Sequence, residues 1–194
     1  MRPLLIGIAG PPCAGKTTLC AALSKRDGEV THISMESFYK DTEHMPFYRQ
    51  YRNFDSPKSI NFESLSYVLK QIVDGKKVTI PVYSKEEAKC VKEELVKPTK
   101  IILVEGFLLF SRKPIRQMFD ARIYIDINSG TQAKRKSARN SGNDLNQEYY
   151  NKVLIPMAKK YVIPTKRYAD YVLDGTHPQD ILADEVAAII AKYQ

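Results

Sequence analysis

Eight residues near the start of the chain restrict its fold more than any others: Gly10, Pro11, Pro12, Cys13, Ala14, Gly15, Lys16 and Thr17 fill the pattern G-x-x-x-x-G-K-[ST] completely. Such a loop works only between a strand and a helix. The strand delivers the backbone to the turn, and the helix N-terminus aims its free N–H groups at an anion. Both neighbours are legible: residues 4–9 read Leu-Leu-Ile-Gly-Ile-Ala, a buried-strand run, and a helical pattern covers 16–25. Gly10 and Gly15 permit torsions and a close approach that a Cβ would block, so successive N–H groups can converge on phosphate oxygens. In that setting Lys16 reaches the β and γ phosphates and the Thr17 hydroxyl can ligate Mg²⁺, with Thr18 continuing the cradle. The plainer alternative is a glycine-rich turn followed by an unrelated Lys-Thr pair.

The rest of the chain supplies the sheet that such a loop requires. Apolar runs at 101–104 and 123–125, with weaker ones at 30–33 and 171–173, join 4–9 as five strands of the kind buried on both faces of a parallel sheet. Helical patterns lie between them. One covers 62–73, with Phe62, Leu65, Val68, Leu69, Ile72 and Val73 on one stripe stopped near Gly75; others cover 132–140, 147–161 and the residues after Pro178. This alternation predicts an α/β fold, a five-stranded parallel sheet with helices on both faces. Residues 76–98 break the pattern with short strand-like pieces and dense charge, and are expected to leave the sheet as an excursion. At 194 residues, 43% apolar and 27% charged, the chain suffices for one domain over 1–194 and is short for two.

The apolar stretch 101–110 is interrupted by Glu105 and falls well short of the roughly 20 residues of a membrane helix, so no membrane partner is expected. The first ten residues run straight into the glycine motif, and nothing there reads as a cleavable leader. Cys13, Cys20 and Cys90 lack C-x-x-C spacing, which points to a reducing, cytoplasmic setting.

A phosphate cradle alone does not choose a reaction. The switch-GTPase signatures D-x-x-G and N-K-x-D are missing; residues 151–154 read Asn-Lys-Val-Leu. Glu105 closes the 101–104 run, and carboxyl ends of parallel strands face the ligand crevice, so it is expected beside the metal held by Thr17. A solvated strand end is the alternative. Glu36, in Ser34-Met35-Glu36-Ser37-Phe38-Tyr39, follows the second strand, where a carboxylate can take the proton of an acceptor hydroxyl aligned with the γ phosphate. Taken alone it reads as a cap or surface residue. Lys134, Arg135, Lys136 and Arg139 follow the strand that ends near Asp126, with Arg135 and Arg139 on one helix face. They are expected in a lid over about 131–145 that closes on the nucleotide; a solvated basic face is the alternative.

The segments GPPCAGKTT (10–18), SMESFYKD (34–41), RNFDSPKSINFESL (52–65), IPVYS (80–84), IILVEGFLLF (101–110), the 135–139 cations and IPMAKKYVIPTKRYADYV (155–172) together resemble the uridine kinase family. That family belongs to the P-loop small-molecule kinases that also include nicotinamide riboside kinase and phosphoribulokinase. The resemblance implies ATP- and Mg²⁺-dependent transfer of the γ-phosphoryl group to the 5′-hydroxyl of a ribonucleoside, uridine or cytidine. It implies that Lys16, Glu36, Arg135 and Arg139 act in catalysis, and that residues 10–18 with Lys136 hold ATP. Thr17 and Glu105 would hold Mg²⁺, Asp55 the ribose hydroxyls, and Phe54, Tyr83 and Arg139 the remainder of the riboside.

Four departures bear on the substrate. Glu36 stands where the family carries Asp, Ala88 where uridine kinases carry a base-reading His, and Lys85 where an aromatic is expected; the basic lid continuation is reduced to Ser141-Gly142-Asn143-Asp144. Ala88 and the segment 171–176, Tyr-Val-Leu-Asp-Gly-Thr, favour nicotinamide riboside kinase as the alternative.

A net charge of +8 suits anionic partners and raises a reading from another class, a P-loop regulatory or nucleic-acid-binding ATPase, for which partner motifs are absent. The expected partner is a small-molecule nucleoside rather than nucleic acid. His32, His44 and His177 fit no metal spacing. Tyr149, Tyr150, Tyr161, Tyr168 and Tyr171, interleaved with Lys159, Lys160, Lys166 and Arg167, read as core edge or subunit contact, with a homo-oligomer left open.

Overall fold

A computed structural model describes residues 2–26, 28–84, 86–140 and 144–194, with the side chains of 139, 140 and 144–146 set aside. The expectations placed on Lys85 and on Ser141, Gly142 and Asn143 lie outside the described residues, as do those on the side chains of Arg139 and Asp144. The chain opens with β1 (Leu4–Ala9), α1 (Lys16–Arg26) and β2 (Val30–Ser34). A short hairpin, β3 (Phe47–Tyr48) and β4 (Tyr51–Arg52), precedes α2 (Phe62–Val73). Then come β5 (Val78–Ser84), β6 (Lys89–Val96), β7 (Ile101–Glu105), α3 (Lys113–Arg116) and β8 (Ala121–Asp126). The last part comprises α4 (Ser129–Asn140), α5 (Asp144–Tyr149), a π-turn (Tyr150–Leu154), α6 (Ile155–Tyr161), β9 (Tyr171–Asp174) and α7 (Gln179–Ala191).

All five expected strands form one parallel sheet in the order β2-β7-β1-β8-β9. Alternate side chains of a strand point to opposite faces, and both faces here are apolar. Leu5, Ile102, Val104 and Tyr124 pack with Leu65, Leu69 and Ile72 of α2 on one side. On the other, Ile6, Ile8, Leu103 and Ile125 pack with Leu19 of α1 and Leu182 and Val186 of α7. The α2 helix starts where the Asn61 side chain accepts the Ser64 N–H, and it stops before Gly75, whose φ of 78° cannot continue a helix. Among the described residues, no helix is long and apolar enough to cross a membrane.

Residues 76–98 leave the sheet, as expected, and form an antiparallel pair of their own, β5 with β6. Val78 and Ile80 pin it to the α2 side of the core, while β6 is exposed along nearly all its length. The helix expected over 147–161 is continuous and carries one π-turn within it, at Tyr150–Leu154. Pro156 has no N–H to continue the ladder, and the turn before it widens so that the Ile155 N–H meets the Tyr150 carbonyl, five residues back.

Candidate active site

The site is assembled at the carboxyl ends of β1, β2 and β7. Gly10 leaves β1 at φ 147°, where a Cβ would overlap the Ile125 carbonyl oxygen of β8; Gly15 has φ 91° and would place a Cβ 2.7 Å from Gln179 Nε2. Only glycine lets the loop pass so close to its neighbours. Cys13, at φ 65°, turns the intervening backbone, and α1 then begins at Lys16 with first-turn N–H groups that have no partner inside the helix. This is an anion cradle by geometry.

Lys16 is 7% exposed and its ammonium donates to the carbonyls of Gly10 and Pro11, both at 3.0 Å. Burial pushes its pKa below the ordinary lysine value, and the carboxylates of Glu105 and Glu36 pull it back up. Both acids therefore lie within electrostatic reach of one cation.

Glu105, the last residue of β7, is 2% exposed, which rules out the solvated strand-end alternative. Its Oε1 accepts from Ser34 Oγ at 2.7 Å and from Thr17 Oγ1 at 3.2 Å, and His32 Nε2 faces it from 3.8 Å. Burial works to raise its pKa, yet the His32 imidazole, the Lys16 ammonium and the Ser34 hydroxyl outweigh burial and hold the carboxyl below its usual value. A hydroxyl and a carboxylate so placed form a hard-oxygen pair, the donor type that Mg²⁺ prefers. The residues fit that ion.

Glu36 sits on a one-turn 3-10 helix, Met35–Phe38, whose N-cap Ser34 accepts the Glu36 N–H while its hydroxyl proton goes to Glu105. One serine thus ties the turn carrying Glu36 to the strand end carrying Glu105. Asp55 arrives on the loop after β4 and is 7% exposed, with its N–H bonded to Asn53 Oδ1. Its carboxyl is pushed up to about 6 by burial, opposed by a hydrogen bond from Tyr149 and the charge of Lys136, while Glu36 adds to the rise.

Lys16, Thr17, Glu36, Phe54, Asp55, Glu105 and Lys136 line one cleft of about 360 Å³, which Tyr39 and Phe107 also border. A larger concavity of about 730 Å³ opens at the amino ends of the strands, beside Leu4, Lys100 and Asp120, and contains none of these groups. Two expected residues stand outside the cleft. Tyr83, on β5, reaches it only through Tyr39, whose ring lies 5.3 Å away. Arg135 donates to the carbonyls of Cys13 (3.3 Å) and Gly175 (2.8 Å), bracing the outside of the cradle. Ala88, at φ 51°, accepts hydrogen bonds at its carbonyl from the Thr42 hydroxyl and N–H, and its methyl offers no polar reader for a base.

Four contributors escape sequence reasoning. Tyr39, inside a quoted motif, is the ring on which Phe54 and Tyr83 both pack. His32 and Ser34 are unremarkable strand residues until β2 is laid beside β7. Tyr149 is expected only as core edge or subunit contact; its hydroxyl bonds Asp55 Oδ2 at 2.8 Å, and the next residue, Tyr150, is 4% exposed. Only the fold brings positions 55 and 149 together.

The model of the Phosphoribulokinase / Uridine kinase family matches residues 5–182. A uridine kinase of Clostridium tetani is 33% identical over 98% of this chain and 98% of its own length. Another, from Brevibacillus brevis, is 30% identical over 100% of this chain and 96% of its own. Among solved structures, a possible uridine kinase from Bacillus stearothermophilus superposes with a TM-score of 0.67 at 22% identity, covering 90% of each chain.

Proposed function

The chain belongs to the phosphoribulokinase and uridine kinase family and is a kinase, and from that premise we propose that it moves the γ-phosphoryl group of ATP to the 5′-hydroxyl of a ribonucleoside, uridine or cytidine. The observation that carries the reading is the single cleft in which a phosphate cradle, an oxygen pair suited to a divalent cation, and two further carboxylates meet.

The loop N–H groups and Lys16 hold the β and γ phosphates. Thr17 and Glu105 hold Mg²⁺, which when bound draws negative charge from the phosphate oxygens. Asp55 accepts hydrogen bonds from the ribose diol, as a buried carboxylate with two oxygens can. Phe54 borders the base, and Tyr83 supports that side through Tyr39. Glu36 takes the 5′-hydroxyl proton as the oxygen–phosphorus bond forms and the bond to the β-γ bridging oxygen breaks, releasing ADP. Lys136 faces the join between the two substrates, and Arg135 holds the cradle from outside through the Cys13 and Gly175 carbonyls.

A second acceptor, nicotinamide riboside, is favoured by Ala88, which stands at the sequence position of the family's base-reading His and brings no polar side chain. Phosphorylation of uridine, cytidine, nicotinamide riboside and adenosine by the purified protein, followed as acceptor-dependent ADP release, tests both. ADP release that ignores every riboside would overturn the assignment.

A further inference from the structure

Two helices each meet a different half of the cleft. Lys136 of α4 borders the cradle, and Tyr149, at the end of α5, reaches the riboside side. The Tyr149 hydroxyl has one proton to give. It accepts the Phe54 N–H at 3.0 Å, so its own proton is committed to Asp55 Oδ2 at 2.8 Å. Its polarity is fixed by a backbone donor that cannot reverse. The ring is seated edge-on against Tyr51 of β4, with centroids 6.1 Å apart, and the π-turn that follows buries Tyr150. π-turns of this kind recur where a helix must aim a particular side chain.

We propose that Tyr149 is a positioning residue: its hydroxyl orients the Asp55 carboxylate and the Phe54 backbone as a unit, so that riboside binding depends on this contact from α5. This rests on the riboside reading for its consequence, though not for the contact itself. Asp55 Oδ1 accepts no hydrogen bond from the described residues, which leaves that oxygen for a diol while Oδ2 is held. The groups facing the carboxylate are Tyr149 from α5, Lys136 from α4, and Glu36 and Tyr39 from the segment after β2. Tyr149 and Lys136 favour the ionised form and burial and Glu36 oppose it, so loss of the Tyr149 hydroxyl raises the pH at which Asp55 takes up a proton.

The test is Tyr149→Phe, which keeps the ring against Tyr51 and deletes only the hydroxyl. Carbon-13 NMR of the Asp55 carboxyl in the protein without substrate is expected to show a midpoint moved to higher pH by about one unit. The riboside KM should rise about tenfold with the ATP KM within about twofold. On an Asp55→Asn background the same substitution should add less than about twofold to the riboside KM. An unmoved NMR midpoint, or an equal KM penalty on both backgrounds, overturns the proposal. The titration uses no riboside, so a failed acceptor panel would remove the substrate assignment and leave the positioning claim to be judged by the carboxyl shift.

Discussion

Gly106→Ala is the most direct probe of how the metal-side strand end and the Glu36 turn are spaced. A Cβ built on Gly106 would lie 2.5 Å from Met35 Cβ and 2.9 Å from both Met35 Sδ and Cε. Carbon atoms rest at about 3.5–4.0 Å, so Met35 must retreat by roughly 1 Å. Met35 is fully buried and its Cβ cannot rotate away, so the 3-10 turn Met35–Phe38 must shift, taking Glu36 with it. Overpacking of this kind costs about 1–3 kcal/mol, which for a chain of this length lowers Tm by about 2–12 °C. A displacement of roughly 1 Å in the proton acceptor costs on the order of 100-fold in kcat. Calorimetry and steady-state ADP release read the two effects separately. Adding Met35→Ala removes Sδ and Cε but leaves Cβ, so the double variant should regain part of the Tm and little of the kcat. Wild-type kcat in folded Gly106→Ala would refute the idea that this contact sets the position of Glu36.

Other expectations follow from single contacts. Lys16→Ala should lower kcat by at least about 100-fold while the protein stays folded by circular dichroism. Asp55→Ala should raise the riboside KM about tenfold or more and leave the ATP KM unchanged. Because the Asp55 carboxyl sits near pH 6 and its ionised form is the acceptor, kcat/KM for the riboside should be full above that pH and fall about tenfold per unit below it, a limb that Asp55→Asn should flatten. Ser34→Ala strips a 2.7 Å donor from the buried Glu105 and the cap from the Glu36 turn, and should cost about 1–3 kcal/mol in urea unfolding. Arg135→Ala frees the Cys13 and Gly175 carbonyls and should raise the ATP KM with a smaller change in that of the riboside, measured by varying each substrate in turn.

The strands were legible because a strand buried on both faces reads as an unbroken apolar run, and 4–9, 101–104 and 123–125 have no polar interruption. The hairpin at 47–52 was not, since two-residue strands with an exposed Phe47 carry no periodicity. The π-turn inside the 147–161 helix left no mark in its apolar pattern. In the site, contiguous chemistry was readable: the cradle, Glu105 at a strand end and Glu36 after the next strand. Groups acting across the chain were not, because nothing local marks His32 as the neighbour of Glu105 or Tyr149 as the partner of Asp55.

The central position of β1 also governs how the molecule can be made. Leu4 pairs with Ile101, and Ile6 with Ala121, so the first strand synthesised waits for partners about 100 residues downstream. At ordinary translation speeds that is roughly 5–20 s during which an apolar hexapeptide emerges from the ribosome with both edges bare. Pairings so distant in sequence also slow refolding of the finished chain. A nascent polypeptide halted before residue 101 should therefore be sticky and a ready client for chaperones, whereas one extended past residue 126 can close its sheet around the first strand.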